Sequence, residues 1–190
     1  MDKNLVFVIS APSGTGKTTI ARRLKREIPS LSLIVTCTTK KPRLDEKEGV
    51  DYHFVSEKRF KGMIAGGFFL EWARVFGHYY GTPAEPVMQN IARGAPSLLT
   101  IDIQGGRSVK KALPETTTLI AVLPPSAGEQ EKRIRGRNDL LDEEQINKRL
   151  DAYRHERSVL VREYDFVIIN RDLDRAINRI KNIILKGRKY

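Results

Sequence analysis

A glycine-containing segment near the start of the chain has the residue types and spacing of a phosphate-binding loop. Residues 10–19 read Ser-Ala-Pro-Ser-Gly-Thr-Gly-Lys-Thr-Thr and follow an apolar run at residues 5–9. Gly14 and Gly16 allow the backbone to turn so that successive amides point toward an anion. The helix predicted to follow, which should end before Pro29, adds partial positive charge at its N-terminus. The segment therefore predicts a strand, a loop that binds a polyphosphate, and a helix.

Two side chains at the end of this loop have the chemistry needed for phosphoryl transfer. Lys17 can reach the β- and γ-phosphates of ATP, and Thr18 can offer its hydroxyl to Mg²⁺ as a metal ligand. Ala11 replaces the usual first glycine of the motif, but the surrounding strand and helix support the same interpretation. A glycine-rich turn before an ordinary helix is the alternative. The residues expected to bind ATP in this loop are Ala11, Pro12, Ser13, Gly14, Thr15, Gly16, Lys17, Thr18 and Thr19.

Length and composition indicate one compact domain. The chain has 190 residues, 40% of them hydrophobic, which is enough for one sizeable core but hardly for two independent domains. No apolar run approaches the roughly 20 residues of a membrane span, and the first residues lack the apolar stretch of a signal peptide. The single cysteine, Cys37, fits a reducing compartment and is expected to fill space near a strand end. We therefore expect a cytoplasmic protein with no membrane partner.

The charge balance favours anionic ligands. With 34 Lys and Arg against 23 Asp and Glu, the formal net charge is +11 at pH 7. Composition alone does not distinguish nucleic acid, anionic lipid and phosphorylated small molecules. The basic clusters at residues 40–43 and 133–137 lie beside other functional signals and are candidates for phosphate contacts. Those at residues 22–26 and 186–189 are expected to be solvated helix faces.

Hydrophobic patterning predicts an α/β fold with an open parallel sheet, because five apolar strands alternate with helices. The predicted strands lie at residues 5–9, 31–37, 97–103, 117–123 and 166–169. After the second strand, a polar loop, a short helix at residues 57–65 and an aromatic-rich β segment at residues 68–80 form an insertion. Helices are predicted from residue 85, at residues 106–113, 128–137 and 142–163, and from residue 172. The charge-rich pair at residues 128–137 and 142–163 has few apolar positions, which suits a mobile lid.

Several separate motifs together resemble the guanylate kinase family. The matching motifs are Thr-Cys-Thr-Thr-Lys-Lys-Pro-Arg (36–43), Gly-Val-Asp-Tyr-His-Phe-Val-Ser (49–56), Glu-Trp-Ala (71–73), Gly-His-Tyr-Tyr-Gly-Thr (77–82), Ile-Asp-Ile-Gln-Gly (101–105) and Val-Ile-Ile-Asn-Arg-Asp (167–172). They occur in the right order and cover nearly the whole chain, which is far more specific than a phosphate loop alone. The resemblance implies a P-loop kinase core with a five-stranded parallel sheet flanked by helices, an inserted mixed β subdomain that binds the monophosphate, and a helical lid. The implied boundaries within a single domain at residues 1–190 are 1–35, 83–125 and 164–190 for the core, 36–82 for the insertion and 126–163 for the lid.

The resemblance also assigns roles to individual side chains. Glu71 matches the residue that reads guanine, and a carboxylate there can accept from both the N1–H and the 2-amino group, whereas adenine presents an unprotonated N1. The other base-contacting positions are Thr36, Thr82 and Asp102, and the monophosphate-binding positions are Lys40, Arg43, Tyr52 and Tyr80. The implied lid arginines are Arg133, Arg137 and Arg149, and Asn170 matches a position near the ATP base. Without the resemblance, most of these residues would be read as packing or surface residues.

Two positions depart from the family pattern. Lys40 stands where the family has an arginine beside the monophosphate, and an ammonium cannot form a bidentate fork. Thr100 stands where the family has the first aspartate of an Asp-x-Asp pair, so that only Asp102 remains. Lys40 as one more solvated loop charge is the alternative to a clamping role.

The sequence therefore predicts an ATP-dependent kinase that converts GMP, and dGMP, to the diphosphate with Mg²⁺. The expected partners are these nucleotides and no nucleic acid, in a monomer or homodimer. One alternative is a P-loop kinase of a phosphorylated sugar, against which Glu71, Thr36 and Thr82 argue. Another is a protein-binding module without catalysis, against which the complete phosphate loop argues. Nucleic-acid binding driven by the net charge is the remaining alternative.

Overall fold

The computed structural model describes residues 4–44, 46–136 and 142–186. The strands are β1 (Val6–Ser10), β2 (Ser32–Leu33), β3 (Thr36–Thr38), β4 (Tyr52–Phe54), β5 (Phe69–Val75), β6 (His78–Pro83), β7 (Ser97–Thr100), β8 (Thr117–Leu123) and β9 (Phe166–Ile169). The helices are α1 (Lys17–Glu27), α2 (Glu57–Ala65), α3 (Ala84–Ala92), α4 (Ile103–Ala112), α5 (Ala127–Arg135), α6 (Glu143–Glu163) and α7 (Leu173–Lys186). None of these helices combines the length and the apolarity needed to cross a membrane.

The central sheet has five parallel strands in the order β2-β7-β1-β8-β9, which confirms the predicted α/β class. Strand β1 lies in the middle, and all five of its residues are buried because helices cover both faces of the sheet. Phe7 and Ile9 pack toward α1 and α7, whereas Val6 and Val8 pack toward α4 and α6. This alternation fixes the strand whose carboxyl end carries the phosphate loop.

A second sheet has four strands in the order β4-β3-β6-β5. Strand β3 pairs parallel with β4 and antiparallel with β6, and β5 pairs antiparallel with β6, so the sheet is mixed as predicted. Phe60 of α2 is fully buried, with its ring stacked 4.5 Å from that of Phe69 and 5.4 Å from that of Tyr79. These aromatic contacts fasten α2 to the sheet that carries the predicted monophosphate-binding residues.

Two element boundaries predicted from the sequence are wrong. The apolar run at residues 31–37 is not one strand: β2 belongs to the central sheet and β3 to the second sheet. The strand predicted at residues 97–103 ends at Thr100, and α4 begins at Ile103 rather than at residue 106. The reason is local, because the Asp102 carboxylate accepts a hydrogen bond from the Gly105 amide at 2.9 Å and caps the helix.

Candidate active site

The phosphate loop has the backbone geometry that its glycines predict. Gly14 and Gly16 adopt positive φ values of 83° and 90°, and α1 starts directly after Gly16. The loop is braced from outside by two buried amides: Asn170 Nδ2 donates to Thr15 O at 2.9 Å, and Gln130 Nε2 donates to Ser13 O at 3.0 Å. Both bonds engage carbonyl oxygens of the loop and not its backbone N–H groups, which are the donors that a bound anion requires.

Lys17 is the first residue of α1, and its side chain is half-buried. Its ammonium donates to the main-chain oxygen of Ile101 at 3.3 Å. Glu156 of α6 lies within electrostatic range of Lys17: burial raises the pKa of Glu156, and the positive charge of Lys17 acts to lower it. Thr18 is exposed and lines a cleft of about 420 Å³ together with Arg43 and Tyr52. The cleft joins the phosphate loop to the second sheet.

Glu71 and Thr82 form a buried polar pair between adjacent strands. Glu71 is 6% exposed, and Thr82 Oγ1 donates to Glu71 Oε1 at 2.5 Å across the β5–β6 ladder. Thr36 is buried at the start of β3. The next residue, Cys37, pairs with Gly81 of β6, and Gly81 directly precedes Thr82. The second sheet thus brings these predicted base-contacting residues onto neighbouring strands.

The surroundings of Glu71 change its acidity. Burial raises the pKa of Glu71 to about 7, the hydrogen bond from Thr82 acts in the opposite direction, and the negative charge of Asp102 adds to the increase. Asp102, the residue that caps the N-terminus of α4, is therefore close enough to influence the pKa of Glu71. Near neutral pH, the Glu71 carboxyl is poised between its charged and neutral forms.

The predicted monophosphate-binding residues surround a carboxylate. Lys40 donates to both oxygens of Glu46, with a distance of 2.5 Å to Oε2, and the Arg43 amide donates to the same oxygen at 3.0 Å. The Lys40 and Glu46 side chains are only 11% and 10% exposed. Lys40 Nζ also lies 4.7 Å from the centre of the Tyr52 ring. Lys40 is thus held in the cluster and is not a solvated loop charge.

Tyr52 and Tyr80 lie beside this cluster, with their ring centroids 6.1 Å apart in an edge-on arrangement. Burial raises the pKa of Tyr52 to about 12 and also raises that of Tyr80. Both hydroxyls therefore keep their protons at neutral pH and can donate to an anion. The positive charges of Arg43 and Arg149 act to lower the pKa of Tyr80, against the effect of burial. Both guanidinium groups are therefore within electrostatic range of this ring.

Of the predicted lid arginines, Arg149 contacts the phosphate loop and Arg133 contacts Asn170, which braces that loop. Arg149 Nη1 donates to Ser13 Oγ at 2.9 Å, and its guanidinium lies 5.2 Å from the centre of the Phe76 ring. Arg133 Nη2 lies 3.4 Å from Asn170 O, and its Nε donates to Glu129 at 2.8 Å. The third predicted lid arginine, Arg137, lies outside the described residues.

Sequence reasoning did not single out three residues of this site. Glu46 stands in a charged loop, Glu156 in a charged helix and Phe76 in a hairpin turn, where each looks like a surface residue. The sequence offers one signal for Phe76, the glycine that directly follows it. In the structure, Phe76 adopts a positive φ of 46°, a conformation that costs a bulky residue of order 1 kcal/mol. Its ring is 50% exposed, and it packs against Arg149.

Comparison with known proteins decides the family. The sequence model described as Guanylate kinase matches residues 3–187. The chain belongs to the guanylate kinase family. It is therefore a nucleoside monophosphate kinase with an α/β fold, which confirms the resemblance found in its motifs.

Individual relatives agree over nearly the full length. The guanylate kinase of Myxococcus xanthus is 42% identical over 184 residues, which cover 97% of this chain and 87% of that protein. The guanylate kinase of Caldanaerobacter subterraneus subsp. tengcongensis is 44% identical over 183 residues, covering 96% and 87%. The crystal structure of guanylate kinase from Anaplasma phagocytophilum superposes with a TM-score of 0.82 at 30% identity, covering 100% of this chain and 89% of that chain.

Within this guanylate kinase, the environment of Lys40 leads to a testable prediction. We expect Lys40→Arg to raise kcat/KM toward GMP about fivefold, a gain on the order of 1 kcal/mol, because a guanidinium can bond Glu46 and a phosphate oxygen at once. The measurement is steady-state kinetics at two salt concentrations, with the exposed neighbour Lys41 changed to arginine as the control. No change or a loss at both salt concentrations contradicts the clamping role of Lys40.

Proposed function

We propose that this enzyme transfers the γ-phosphoryl group of ATP to GMP, and to dGMP, giving ADP and the nucleoside diphosphate with Mg²⁺. The observation that carries the proposal is the buried pair of Glu71 and Thr82, placed within electrostatic range of Asp102. Burying a carboxylate is costly unless it is paired, so such a group between two strands favours a ligand that donates hydrogen bonds.

Guanine is the nucleobase whose donors match this carboxylate. Its N1–H and 2-amino groups lie side by side, and the ionised Glu71 offers two acceptor oxygens. Thr82 occupies part of the capacity of Oε1 and orients the group. Adenine would present a lone pair to a lone pair at N1, which leaves both groups unsatisfied and makes discrimination strong. Thr36 on β3 of the same sheet and Asp102, within electrostatic range of Glu71, offer further polar atoms.

The monophosphate has a matching anion site. Lys40 and Arg43 supply positive charge, and Tyr52 and Tyr80 supply phenolic donors that remain protonated at neutral pH. Glu46 holds the ammonium of Lys40 and the backbone of Arg43 in place before an anion arrives. Together with the cleft that Arg43, Glu46 and Tyr52 share with Thr18, the arrangement supports binding of a phosphate whose acceptor oxygen faces the phosphate loop.

Catalysis is then mainly a matter of positioning and charge neutralisation, since phosphoryl transfer needs little covalent help from the protein. The loop amides and Lys17 hold the donor phosphates, and Arg149, already bonded to Ser13, lies where it can stabilise charge on the transferring group. We propose that residues 126–163 act as a lid that excludes water and residues 36–82 as the part that binds GMP.

Thr18 provides a donor that suits Mg²⁺. Within residues 4–44, 46–136 and 142–186, no three acidic, histidine or cysteine side chains converge on one point. Such a cage is not needed, because Mg²⁺ is usually held by one or two protein ligands, water and substrate phosphates. The exposed Thr18 hydroxyl fits this donor set, and the bound ion would neutralise charge on the phosphates.

The proposal is tested by a coupled assay of ADP release with ATP and Mg²⁺ and a panel of GMP, dGMP, IMP, AMP, CMP and UMP. We expect rapid turnover with GMP and dGMP, slower turnover with IMP, which lacks the 2-amino group, and little with the others. Preference for a phosphorylated sugar over GMP would support the alternative kinase. Absence of turnover with every acceptor would support a binding module without catalysis.

A further inference from the structure

The first turn of α4 lies directly against the carboxylate of Glu71. Gly105 is buried in this turn, and its amide donates to the Asp102 carboxylate at 2.9 Å. A Cβ atom at Gly105 would lie 2.6 Å from Glu71 Oε2 and 3.1 Å from Glu71 Cδ. Non-bonded carbon and oxygen atoms do not approach to 2.6 Å, so any side chain at this position must displace the carboxylate.

The backbone of α4 gives no reason for a glycine here. Gly105 lies inside a helix and is absent from the residues with positive φ, so alanine can adopt its conformation. Alanine also has a higher helix propensity than glycine. Helix propensity therefore favours alanine at a position where the chain has glycine. Such a conflict is typical of a residue whose identity is set by a functional site.

The displaced group would be the end of the Glu71 side chain. Its Oε1 is fixed by Thr82, so the carboxylate cannot move away from α4 without losing or distorting that bond. Ile101 Cδ1 lies 3.1 Å from the same Cβ position, so the new methyl group also has little room to shift toward Ile101. A methyl group at Gly105 thus acts on the orientation of Glu71 before it acts on the stability of the fold.

We propose that Gly105 is a specificity-determining position: by lacking a side chain, it lets Glu71 hold the orientation that accepts both donors of a 2-aminopurine with a protonated N1. The inference rests on the proposed recognition of GMP by Glu71. Gly105 itself offers no polar side chain to the base, so it acts through Glu71 as a positioning residue.

The neighbouring glycine provides a matched control. A Cβ atom at Gly106 would lie 2.5 Å from the Tyr164 hydroxyl oxygen and 3.4 Å from Ser10 Oγ, and no Glu71 atom is among its nearest neighbours. The two substitutions therefore add the same methyl group to the same helix turn with a similar overlap. They differ in the residue that must move.

The experiment compares Gly105→Ala and Gly106→Ala with the wild type, using GMP and IMP as acceptors. We expect Gly105→Ala to raise KM for GMP about tenfold or more and to bring the ratio of kcat/KM for GMP over IMP close to one, with KM for ATP unchanged. Gly106→Ala should keep the wild-type ratio. A second variant adds Glu71→Asp to Gly105→Ala, because the shorter side chain withdraws from the new methyl group and should restore part of the preference for GMP.

Each other outcome has a defined meaning. The inference is overturned if Gly105→Ala keeps the wild-type preference, if Gly106→Ala loses it equally, or if Gly105→Ala fails to fold, since that would place the conflict in the backbone. Thermal unfolding of all variants is measured to detect the last case. If the wild type does not phosphorylate GMP, the proposed function itself is wrong. That result comes from the wild type alone and is therefore distinguishable from a failure of the inference about Gly105.

Discussion

Lys17→Ala is expected to lower kcat by at least about a hundredfold to a thousandfold while the protein remains folded. In the structure, Lys17 makes a long bond of 3.3 Å to a neutral carbonyl, that of Ile101. Charged phosphate oxygens accept more strongly from an ammonium than a neutral carbonyl does. Because the charge on those oxygens develops most fully during transfer, the loss should fall on kcat more than on KM for ATP.

The measurement combines steady-state kinetics with thermal unfolding. Lys58→Ala is a suitable control, since Lys58 is an exposed helical lysine on α2 and its removal changes the net charge equally. The control should retain wild-type turnover. Full activity in Lys17→Ala would remove the assignment of the phosphate loop to catalysis.

The second large effect concerns pH and Glu71. With the pKa of Glu71 raised to about 7, the carboxylate that accepts both guanine donors is depleted as the pH falls. One pH unit below this pKa, only about a tenth of the groups are ionised, so KM for GMP should rise about tenfold between pH 8 and pH 6. KM for ATP should change far less, because Glu71 lies in the second sheet and not in the phosphate loop.

Glu71→Gln separates this effect from titration of the GMP phosphate itself, whose second pKa is about 6. The amide should weaken GMP by about 1.5–3 kcal/mol at pH 8, since it turns one acceptor into a donor that faces guanine donors. Its remaining pH dependence belongs to the phosphate. If KM for GMP depends on pH in the same way in the wild type and in Glu71→Gln, Glu71 is not the titrating group. If Glu71→Gln weakens binding of ATP alone, the assignments of the GMP and ATP sites are reversed.

The contribution of Glu71 to folding stability depends on pH in the opposite direction from its contribution to GMP binding. Its pKa is raised on folding from 4.5 to about 7, so the folded protein binds more protons than the unfolded chain between these values. The stabilisation from this group is fully present below pH 4.5 and is lost as the pH rises through about 7. The conditions that favour GMP recognition are thus those in which Glu71 contributes least to folding.

The phosphate loop and the central sheet were predictable because their determinants are local. The apolar run at β1, followed by Gly14 and Gly16, specifies its own backbone, and the positive φ of both glycines agrees with the pattern. The split of residues 31–37 between two sheets was not predictable from the sequence pattern, because the whole segment is β-prone and only the partners of its two halves differ. Likewise, the capping bond of Asp102 that starts α4 early competes with an equally plausible strand.

The parts of the site that escaped prediction depend on contacts between distant segments. Glu46 is significant only because Lys40 and Arg43 fold around it, and Gly105 only because β5 places Glu71 against it. Neither the side-chain type nor the spacing of these two residues predicts a ligand. A resemblance to a family transfers the residues that touch substrate, whereas these residues act on their neighbours.

The guanidinium of Arg149 connects two parts of the molecule for which we propose different nucleotides. It bonds Ser13 in the phosphate loop and packs on Phe76 in the turn between β5 and β6. Thermodynamic linkage requires any gain in ATP affinity that GMP produces through this connection to be matched by an equal gain in GMP affinity when ATP is bound. The same reciprocity would apply to the two product diphosphates, so departure of either one would change the affinity for the other by the same factor.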